Sequence, residues 1–400
     1  MIQKLNNSTP VEKCLPATSV ISDDTPGLRF QVKWIDSVEQ MKANAAEWQR
    51  LFEMAQRPNF CFAPSFLIPA FEHLNEQGAR LLVVESKSLT NDEDQPVWCV
   101  VIPLVSKRMF RVPVTTMEIW KHEQCFDATP LLRRDCANEA MRAAIEFLVA
   151  EGVSWLSSDT ISADGEFGQL WHDLVKQHGH GEFVRQAFDR ACFRPMEDHE
   201  AFTKKHVSKS IRKNTRRLLR RIVEQGEFDV IDSDPNSDFE KLARQFLEVE
   251  ASGWKRESGT ALICNESTKR FFLDMVEASA QAGLIRFLSL ELDQQPVAML
   301  CDLYSDRHGF SYKTGFDEAY SNFSPGLLAE VLNIEKMHGY DVEYVDSCTE
   351  PDNNTMNRIW GDRLAFQKSI VSLKPGLAAW ILKSLPIAKG LAQRFRKQDA

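Results

Sequence analysis

The same order of predicted elements occurs twice along the chain. In each half, the spacing of apolar residues predicts two helices, an antiparallel hairpin, a further helix and a strand. In the second half the hairpin strands are "LIRFLSLELD" and "PVAMLCDLY", joined by the turn "DQQP". A chain of 400 residues also exceeds what one compact core usually holds. The repeated order therefore predicts a mixed α/β protein built from two similar domains.

Changes in composition suggest the domain boundaries. Residues 1–27 are polar, contain three prolines and are expected to form a flexible leader. We expect an N-terminal domain over residues 28–200 and a C-terminal domain over residues 201–372. Residues 373–400 mix apolar residues with Lys and Arg, which is typical of a basic amphipathic tail. This tail is expected either to lie on anionic lipid or to pack on the body of the protein.

Two properties of the sequence predict where the protein works. The longest apolar runs, such as Val97–Val105, are much shorter than the roughly 18 residues of a transmembrane helix. The N-terminus also lacks the basic start and apolar stretch of a signal peptide. The nine cysteines are scattered singly, which indicates reduced thiols. We expect a cytoplasmic protein, either free or peripheral to the inner membrane.

Several common catalytic motifs are absent from the sequence. It contains no Gly-x-Ser-x-Gly elbow, no Walker loop and no dinucleotide-binding fingerprint. His172, His178 and His180 are close together, but they lack the helical spacing and the carboxylate partner expected of a metal site. We therefore expect no metal cofactor.

One segment is strongly basic in a chain whose net charge is −9. Ala201–Val223 contains nine Lys and Arg residues and no acidic residue. Its apolar residues lie at helical spacing, which predicts one buried helix face. The cations repel each other unless an anion binds them, so Arg212, Lys213 and Arg216 are candidate contacts for cofactor phosphates, a nucleotide-linked sugar, tRNA or lipid headgroups. The alternative is a solvated helix over a domain junction.

The stretch "SYKTGFDEAYSNFSPGLLAEVL" (residues 311–332) predicts a strand end, a polar loop and a helix start. Ser324 is expected at the N-cap and Pro325 at the first helical position. Gly326 is a poor helix former and indicates that something approaches the backbone closely. Because unpaired N–H groups at a helix start can bind phosphate, the stretch predicts either a simple cap or an anion site over residues 324–328.

Several motifs in the second half resemble those of a known family. They are the basic helix, "WKRESGTAL" (254–262), Phe271 with Phe272, "YKTGFDEAY", "SPGLLAE", "VDSC" and "IWGDR". In this order and approximate spacing, they resemble the GNAT-superfamily acetyltransferases of the CelD/BcsL type. That group is similar to the Fem-type peptidyltransferases, which carry two GNAT-like domains in one chain. The resemblance covers roughly residues 30–372 and is strongest from 205 to 362.

The resemblance implies two tandem GNAT-like domains, each a mixed, largely antiparallel sheet flanked by helices. In such enzymes the fourth and fifth strands separate to admit the pantetheine arm of acyl-CoA, usually acetyl-CoA. Here those strands would be His308–Gly315 and Asp341–Ser347. The pyrophosphate would bind Ser324, Pro325, Gly326, Leu327 and Leu328. The sequence lacks the usual Arg/Gln-x-x-Gly-x-Gly/Ala signature, so Ser-Pro-Gly would replace it with fewer glycines.

The resemblance also implies roles for single residues. An amine would attack the thioester directly, with Asp346 as base or amine anchor, or else as a structural acceptor. Tyr312 or Tyr304 would donate to the leaving group, or else both are core residues. Lys313 would contact phosphate or a substrate carboxylate, or else reach solvent, and strand alternation predicts that it faces away from Tyr312. Trp254 and Lys255 would line an acceptor pocket, and Lys368 lies near the position of a functional lysine in Fem-type enzymes.

Three functional hypotheses follow from these residues. The first is an acyl-CoA-dependent N-acyltransferase acting on an amine of a sugar or of a cell-envelope or polysaccharide precursor. The second is Fem-like aminoacyl transfer from charged tRNA, for which the basic helix is suited. The third is a non-catalytic scaffold in polysaccharide export, held at a membrane by residues 375–400.

Overall fold

The computed structural model describes most of the chain, namely residues 19–22, 28–90, 95–109, 112–177, 180–305 and 307–385. Of the leader predicted for residues 1–27, only residues 19–22 are described, and they form a strand. Residues 386–400 of the predicted tail lie outside the described residues.

The first half contains the predicted helices and strands and adds four strands that the sequence pattern did not predict. In chain order the elements are β1 (Ser19–Ser22), β2 (Arg29–Ile35), α1 (Val38–Ala43), α2 (Ala45–Glu53), α3 (Pro64–His73), β3 (Arg80–Thr90), β4 (Pro96–Lys107), β5 (Thr116–Ile119), β6 (Leu131–Leu132), α4 (Ala137–Ala150), β7 (Trp155–Ser162), α5 (Gly165–Gln177) and β8 (Glu182–Phe193). The additions are β1, β5, β6 and β8.

The second half repeats this order after a pair of basic helices. Its elements are α6 (His199–His206), α7 (Lys209–Val223), β9 (Phe228–Asp232), α8 (Phe239–Glu250), α9 (Trp254–Glu257), α10 (Glu266–Gln281), β10 (Ile285–Leu292), β11 (Gln295–Tyr304), β12 (His308–Phe316), α11 (Pro325–His338), β13 (Tyr344–Asp346), α12 (Met356–Ile359) and β14 (Asp362–Ser372). All the helices and strands predicted for this half are present, with ends shifted by a few residues.

All fourteen strands belong to one sheet. The order is β1-β2-β3-β4-β5-β7-β14-β8-β13-β12-β11-β10-β9, with β6 paired to β4. Only the pairs β5/β7 and β12/β13 are parallel. The order is symmetric about the central β14/β8 pair, so that β7 and β5 correspond to β13 and β12. The fold class is therefore confirmed: the chain contains two similar mixed sheets, and here they are continuous.

The last strand of the chain holds the two halves together. β14 pairs along its length with β8 and also with β7, both antiparallel. Its residues Leu364, Phe366 and Ile370 are buried. Because β8 and β14 continue both half-sheets, the sheet has no break near residue 200, and the domain boundary there stays a prediction.

Apolar packing crosses the junction between the halves as well. Phe66 of α3 contacts Phe271 of α10, with ring centroids 5.2 Å apart. Phe60 contacts Phe310 of β12 at 5.0 Å. These residues belong to one buried cluster that includes strands from both halves. The cleft described below is therefore built on a rigid junction.

Two further observations concern the predicted environment. Within the described residues, no helix combines the length and the apolar character needed to cross a membrane. The eight described cysteines are all free thiols, and Cys264 is the one that is exposed.

The first part of the predicted tail packs on the protein. Residues 377–385 are helical, and Leu382 is fully buried against Trp155 and Ile370. The indole Nε1 of Trp155 donates to the carbonyl of Ala378 at 3.1 Å. The opposite face is open, since Leu377 is 67% exposed.

Replacing Leu382 with alanine should therefore destabilise the protein. A buried Leu→Ala change removes apolar contacts and leaves a cavity, which costs about 2–5 kcal/mol. Leu377→Ala, on the exposed face of the same helix, should change the free energy of unfolding by less than about 0.5 kcal/mol. Urea denaturation of both variants tests this, and equal effects would contradict the packing of this helix.

Candidate active-site cleft

A wedge opens between the parallel strands β12 and β13. They pair only over His308–Phe310 and Tyr344–Asp346. Beyond that point the chain after β13 stays with β8, because the amide of Ser347 donates to the carbonyl of Ala191. β12 remains paired with β11 on its other side. No described strand therefore pairs with the β13-facing edge of β12 over residues 311–316. Helix α11 connects the two strands and begins beside this opening.

A β-bulge turns Lys313 toward the same side as Tyr312. Asp302 pairs with Ser311 and Cys301 pairs with Lys313, so Tyr312 is the extra residue in β12. The prediction that Lys313 faces away from Tyr312 is therefore wrong. Strand alternation fails here because the bulge inserts one residue into the period of two.

Tyr312 and Lys313 share an aromatic environment. The ammonium of Lys313 lies 5.3 Å from the ring of Tyr312 and 5.6 Å from the ring of Phe126, which comes from the first half. The hydroxyl of Tyr312 is buried and has no hydrogen-bond partner among the described residues. Burial lowers the pKa of Lys313 to about 8, against an opposing effect of Glu250. Burial raises the pKa of Tyr312 well above its usual value.

Lys255 of α9 contacts both α8 and the unpaired part of β12. Its ammonium lies 3.2 Å from a carboxylate oxygen of Glu250 and donates to the carbonyl of Thr314 at 3.3 Å. The other oxygen of Glu250 accepts from the amide of Leu262 at 2.9 Å. Glu250 is therefore engaged twice, and Lys255 contacts the open strand, while its role in an acceptor pocket stays a prediction. The backbone of Trp254 begins α9, and its side chain lies outside the described part of the structure.

The start of α11 differs from the predicted cap. Ser324 occupies the N-cap position, but its backbone is left-handed (φ 49°) and its side chain makes no capping hydrogen bond. The prediction of a serine side-chain cap is therefore wrong, and the first turn keeps N–H groups without a side-chain acceptor. Pro325 is at the first helical position, as predicted. Leu327 and Leu328 pack into two apolar clusters below it.

Gly326 lies close to a side chain of the protein itself. A Cβ atom added there would lie 3.2 Å from the ring of Phe316, at the end of β12. The close approach inferred from the sequence is thus made by Phe316. This contact sets α11 tightly against the open strand.

The basic helix α7 flanks the start of α11. Its apolar residues Ile211, Leu218 and Ile222 are buried, as the spacing predicted. Arg221 lies over the ring of Phe323, 5.2 Å away, in the turn just before Ser324. Among the described residues, no ion pair involves α7. Its exposed cations include the predicted contacts Lys213 and Arg216 and the adjacent Arg217. Arg212 is half-buried.

Asp346 is part of a buried charge network. Its carboxylate is fully buried, pairs with Arg190 of β8 and accepts from the amide of Cys348 at 3.0 Å. Arg190 also donates to the carbonyl of Phe126 at 2.7 Å. A second buried pair, Arg57 with Asp127, lies on the other side of Phe366, whose ring both guanidinium groups contact. The contacts of Asp346 are those of a structural acceptor.

A small cavity of about 60 Å³ adjoins the wedge. Phe126 and the loop after β13 line it, together with Lys368 of β14 and Lys121. The ammonium of Lys368 lies 3.1 Å from Asp159 of β7, and that of Lys121 lies 3.9 Å from the same carboxylate. Lys368 thus lines the small cavity beside the wedge.

The backbone around Lys368 is irregular on both sides. One residue of β14 faces two of β7, and β8 has an extra residue at the same level. Thr160 in β7 has a φ of 64°, which is rare for a β-branched residue and costs on the order of 1–3 kcal/mol. Such strain persists only where the surrounding structure enforces it, and here it borders the cavity.

A larger cavity, of about 1420 Å³, opens at the other end of β12 and β13, near His308 and Tyr344. Of the site residues predicted from the sequence, Tyr304 lines it, and the Tyr304 hydroxyl donates to Asp302 at 3.1 Å. The five arginines of this cavity are balanced by five acidic residues, so it has no net charge of its own.

One surface group has the geometry of a metal site. Among the described residues, Glu72, His73 and Asp274 place their ligand atoms within 4.8 Å of one another. His73 already contacts Asp274 at 2.6 Å, and Lys42 donates to Glu72 at 2.8 Å. None of these residues belongs to the cleft.

The sequence did not reveal the contribution of the first half to the cleft. Phe126, Lys121 and Asp159 reach it only because β14 lies between β7 and β8. Arg190 had one local signal, a charged residue beside the apolar run "ACF", but β8 itself was not predicted. No pattern in the sequence marks these residues as neighbours of Lys313.

Known proteins share this architecture. Residues 209–354 match the family described as the acetyltransferase (GNAT) domain. The structure of FemX is similar with a TM-score of 0.53 and 11% identity, over 82% of this chain and 95% of FemX. The C-terminal domain of a lysylphosphatidylglycerol synthetase from Agrobacterium fabrum gives 0.52 and 11%, over 88% and 97% of the two chains. No curated protein sequence matches this chain.

The wedge, the helix that starts beside it and the matched domain define an acyltransferase of the GNAT type. Residues 209–354 match the GNAT acetyltransferase domain, and the chain as a whole shares its fold with FemX and with the lysylphosphatidylglycerol synthetase domain. This confirms the resemblance inferred from the sequence motifs. At identities near 11% the solved structures share the fold with this chain, and the substrates must be argued from its own residues.

Replacing Asp346 with asparagine should destabilise the protein strongly. The change leaves Arg190 buried without its counter-charge, which costs about 3–5 kcal/mol. Asp341→Asn, at an exposed carboxylate before the same strand, should cost less than about 0.5 kcal/mol. Chemical denaturation measures both. A stable Asp346→Asn protein that has lost only its activity would instead indicate a catalytic carboxylate.

Proposed function

We propose that the protein transfers an acyl group from acyl-CoA to the amine of a sugar or of a cell-envelope or polysaccharide precursor. The observation that carries this proposal is the unpaired edge of β12 beside an uncapped helix start. An extended pantetheine arm can pair with a free strand edge, as an added strand does. Its pyrophosphate then lies at residues 324–328, where N–H groups and the helix dipole favour an anion. Arg221 adds positive charge at the same place.

The reaction forms a C–N bond and breaks the C–S bond of the thioester. The attacking nitrogen must first lose a proton, and the carbonyl oxygen carries negative charge in the transition state. Backbone N–H groups on the unpaired edge of residues 311–316 can donate to that oxygen. The bulge residue Tyr312 has no partner in β11, and its buried hydroxyl can protonate the departing thiolate.

Lys313 is the proposed proton acceptor. A general base works best when its pKa is near the working pH, and burial has lowered that of Lys313 to about 8. Its nearest contacts are two aromatic rings, and Glu250 is engaged by Lys255 and Leu262. Asp346 is already paired with Arg190, so in this proposal it orients β13 and β8 and does not accept the proton.

The small cavity is the proposed acceptor site. Lys121 and Lys368 line this cavity and offer cations to an acidic group on the acceptor. The Asp159 carboxylate, which contacts both lysines, is a nearby anion for the acceptor's ammonium group. Lys255 lies on the other side of β12 and supports the strand through Thr314. This arrangement suits an amine that also carries a phosphate or a carboxylate, as in an amino-sugar precursor.

Activity should rise with pH through the pKa of Lys313. Below about pH 8 the lysine is protonated and cannot accept a proton, and above it the neutral amine can. We expect kcat/KM for acyl transfer to increase with a midpoint near pH 8. Lys313→Met should lower kcat by about 10²–10⁴-fold, and Lys313→Arg should abolish the inflection as well. The measurement is thiol release from acetyl-CoA with a panel of amine acceptors.

Lys241→Met is the matched control, because this lysine is exposed on α8. It should leave the profile unchanged. A rate that falls as the pH passes 8 would mean that Lys313 acts as a cation, for example on the oxyanion. An unchanged rate in Lys313→Met would remove Lys313 from the chemistry.

The second candidate is Fem-like transfer from an aminoacyl-tRNA. The observation in its favour is α7, whose seven cations form no ion pair within the described residues. Affinity for nucleic acid depends on the number of phosphates neutralised, and a row of arginines supplies such contacts. The third hypothesis remains a non-catalytic scaffold.

Ligand binding separates these candidates. With an acyl-CoA donor, acetyl-CoA should raise the melting temperature, and Arg221→Glu should reduce the shift. With a tRNA donor, Arg216→Glu with Arg217→Glu should lower the slope of log affinity against log salt by about 0.9 for each lost phosphate contact.

Lys241→Glu is the control for both charge reversals. A shift with acetyl-CoA and no binding of tRNA supports the first proposal, and the opposite result supports the second. If neither donor binds and no acceptor reacts, the protein is a scaffold.

A further inference from the structure

The helix at residues 377–385 has an apolar face that nothing in the described structure covers. Leu382 faces the protein and is fully buried, whereas Leu377 is 67% and Trp380 is 68% exposed. These two are the most exposed of the large apolar side chains in the described part of the chain. Being three residues apart, they lie side by side on the helix, and Lys383 is exposed at their edge.

The loop between β4 and β5 lies next to this helix. Met109 and Val112 of the loop pack on the same buried cluster as Ala378 and Ile381. Arg108 is exposed beside them, and no ion pair of the described residues includes it or Lys383. We use the name tail surface for Leu377, Trp380 and Lys383 together with Arg108, Met109 and Val112 of this loop. The tail surface thus combines exposed apolar groups with unneutralised positive charge.

The sequence continues this character beyond the described helix. Residues 386–400, "PIAKGLAQRFRKQDA", contain two Lys and two Arg against one Asp. In the sequence, a basic segment thus follows the helix directly, in a chain that is acidic as a whole.

We propose that the tail surface binds an anionic lipid bilayer. Trp is favoured at the level of lipid headgroups, because its ring is apolar and its N–H remains available to polar partners. Lys and Arg next to it are attracted to anionic lipids, and each adds to the binding free energy. Two apolar side chains are few for a protein interface of ordinary size, but they are enough to anchor a peripheral helix.

The proposal does not depend on the identity of the acyl donor or acceptor. It places the enzyme at a membrane surface, where lipid-linked or envelope acceptors are present. In this proposal the two alternatives predicted for the tail apply to different faces of one helix, since Leu382 packs on the protein and the exposed Trp380 would face the lipid.

Vesicle flotation with the full chain tests the proposal. We expect the protein to bind vesicles that contain phosphatidylglycerol at least tenfold more strongly than vesicles of phosphatidylcholine alone. Leu377→Ala with Trp380→Ala should reduce binding at least tenfold, because the apolar anchor is lost. Lys383→Glu should weaken binding only to the anionic vesicles. Deletion of all residues after 374 is unsuitable, since it also removes the buried Leu382.

Ile231→Ala is the matched control, because Ile231 is 45% exposed on β9 at the far edge of the sheet. It should bind as the unmodified protein does. Equal binding to both vesicle types, or full binding by the Leu377/Trp380 double variant, would overturn the proposal. So would a concentration-dependent dimer, detected by light scattering, that the double variant abolishes, since the surface would then contact a second copy. Unchanged thermal melting and solution activity show that the variant is folded.

Discussion

The position of β14 between β7 and β8 is the constraint on which the rest of the structure depends. It joins the two half-sheets into one sheet. It also brings the ring of Phe366 into contact with two buried guanidinium groups. Arg57 and Arg190 stack on this ring and pair with Asp127 and Asp346. Buried charges are costly unless they are paired, so each member of this network requires the others. One pair comes from the first half, and the other joins β8 to β13.

This junction explains why the cleft of the second half includes residues of the first. Arg190 holds the carbonyl of Phe126, and the ring of Phe126 then contacts both Tyr312 and Lys313. β14 also carries Lys368 to Asp159, on the other side of Phe126. A single GNAT-like domain of this sequence would lack this wall. The first half is therefore part of the site, whether or not it binds a ligand of its own.

Local signals in the sequence were sufficient for most elements and for the outline of the cleft. The hairpin turn, the Ser-Pro-Gly start of α11 and the two strands around it depend on neighbouring residues, and their predicted ends were close to the observed ones. The direction of Lys313 was predicted wrongly because the bulge arises from pairing with β11. The left-handed backbone of Ser324 and the ion pair of Asp346 could not be predicted from the sequence either, because both depend on contacts with distant residues. The placement of β14 has no local signal, and every contact across the junction follows from it.

The same contacts decide which group is suited to remove a proton from the acceptor. Asp346 has the residue type expected of a base, but Arg190 and the amide of Cys348 already occupy its carboxylate. A lysine is a less usual general base than a carboxylate, but the surroundings of Lys313 suit that role better than those of Asp346. The rings of Phe126 and Tyr312 lie beside its ammonium and supply no full negative charge, and the nearby Glu250 is shared with Lys255 and the amide of Leu262. Desolvation without a dedicated counter-charge lowers the pKa of a lysine. Because Phe126 belongs to the first half, one domain of the pair tunes the proposed base of the other.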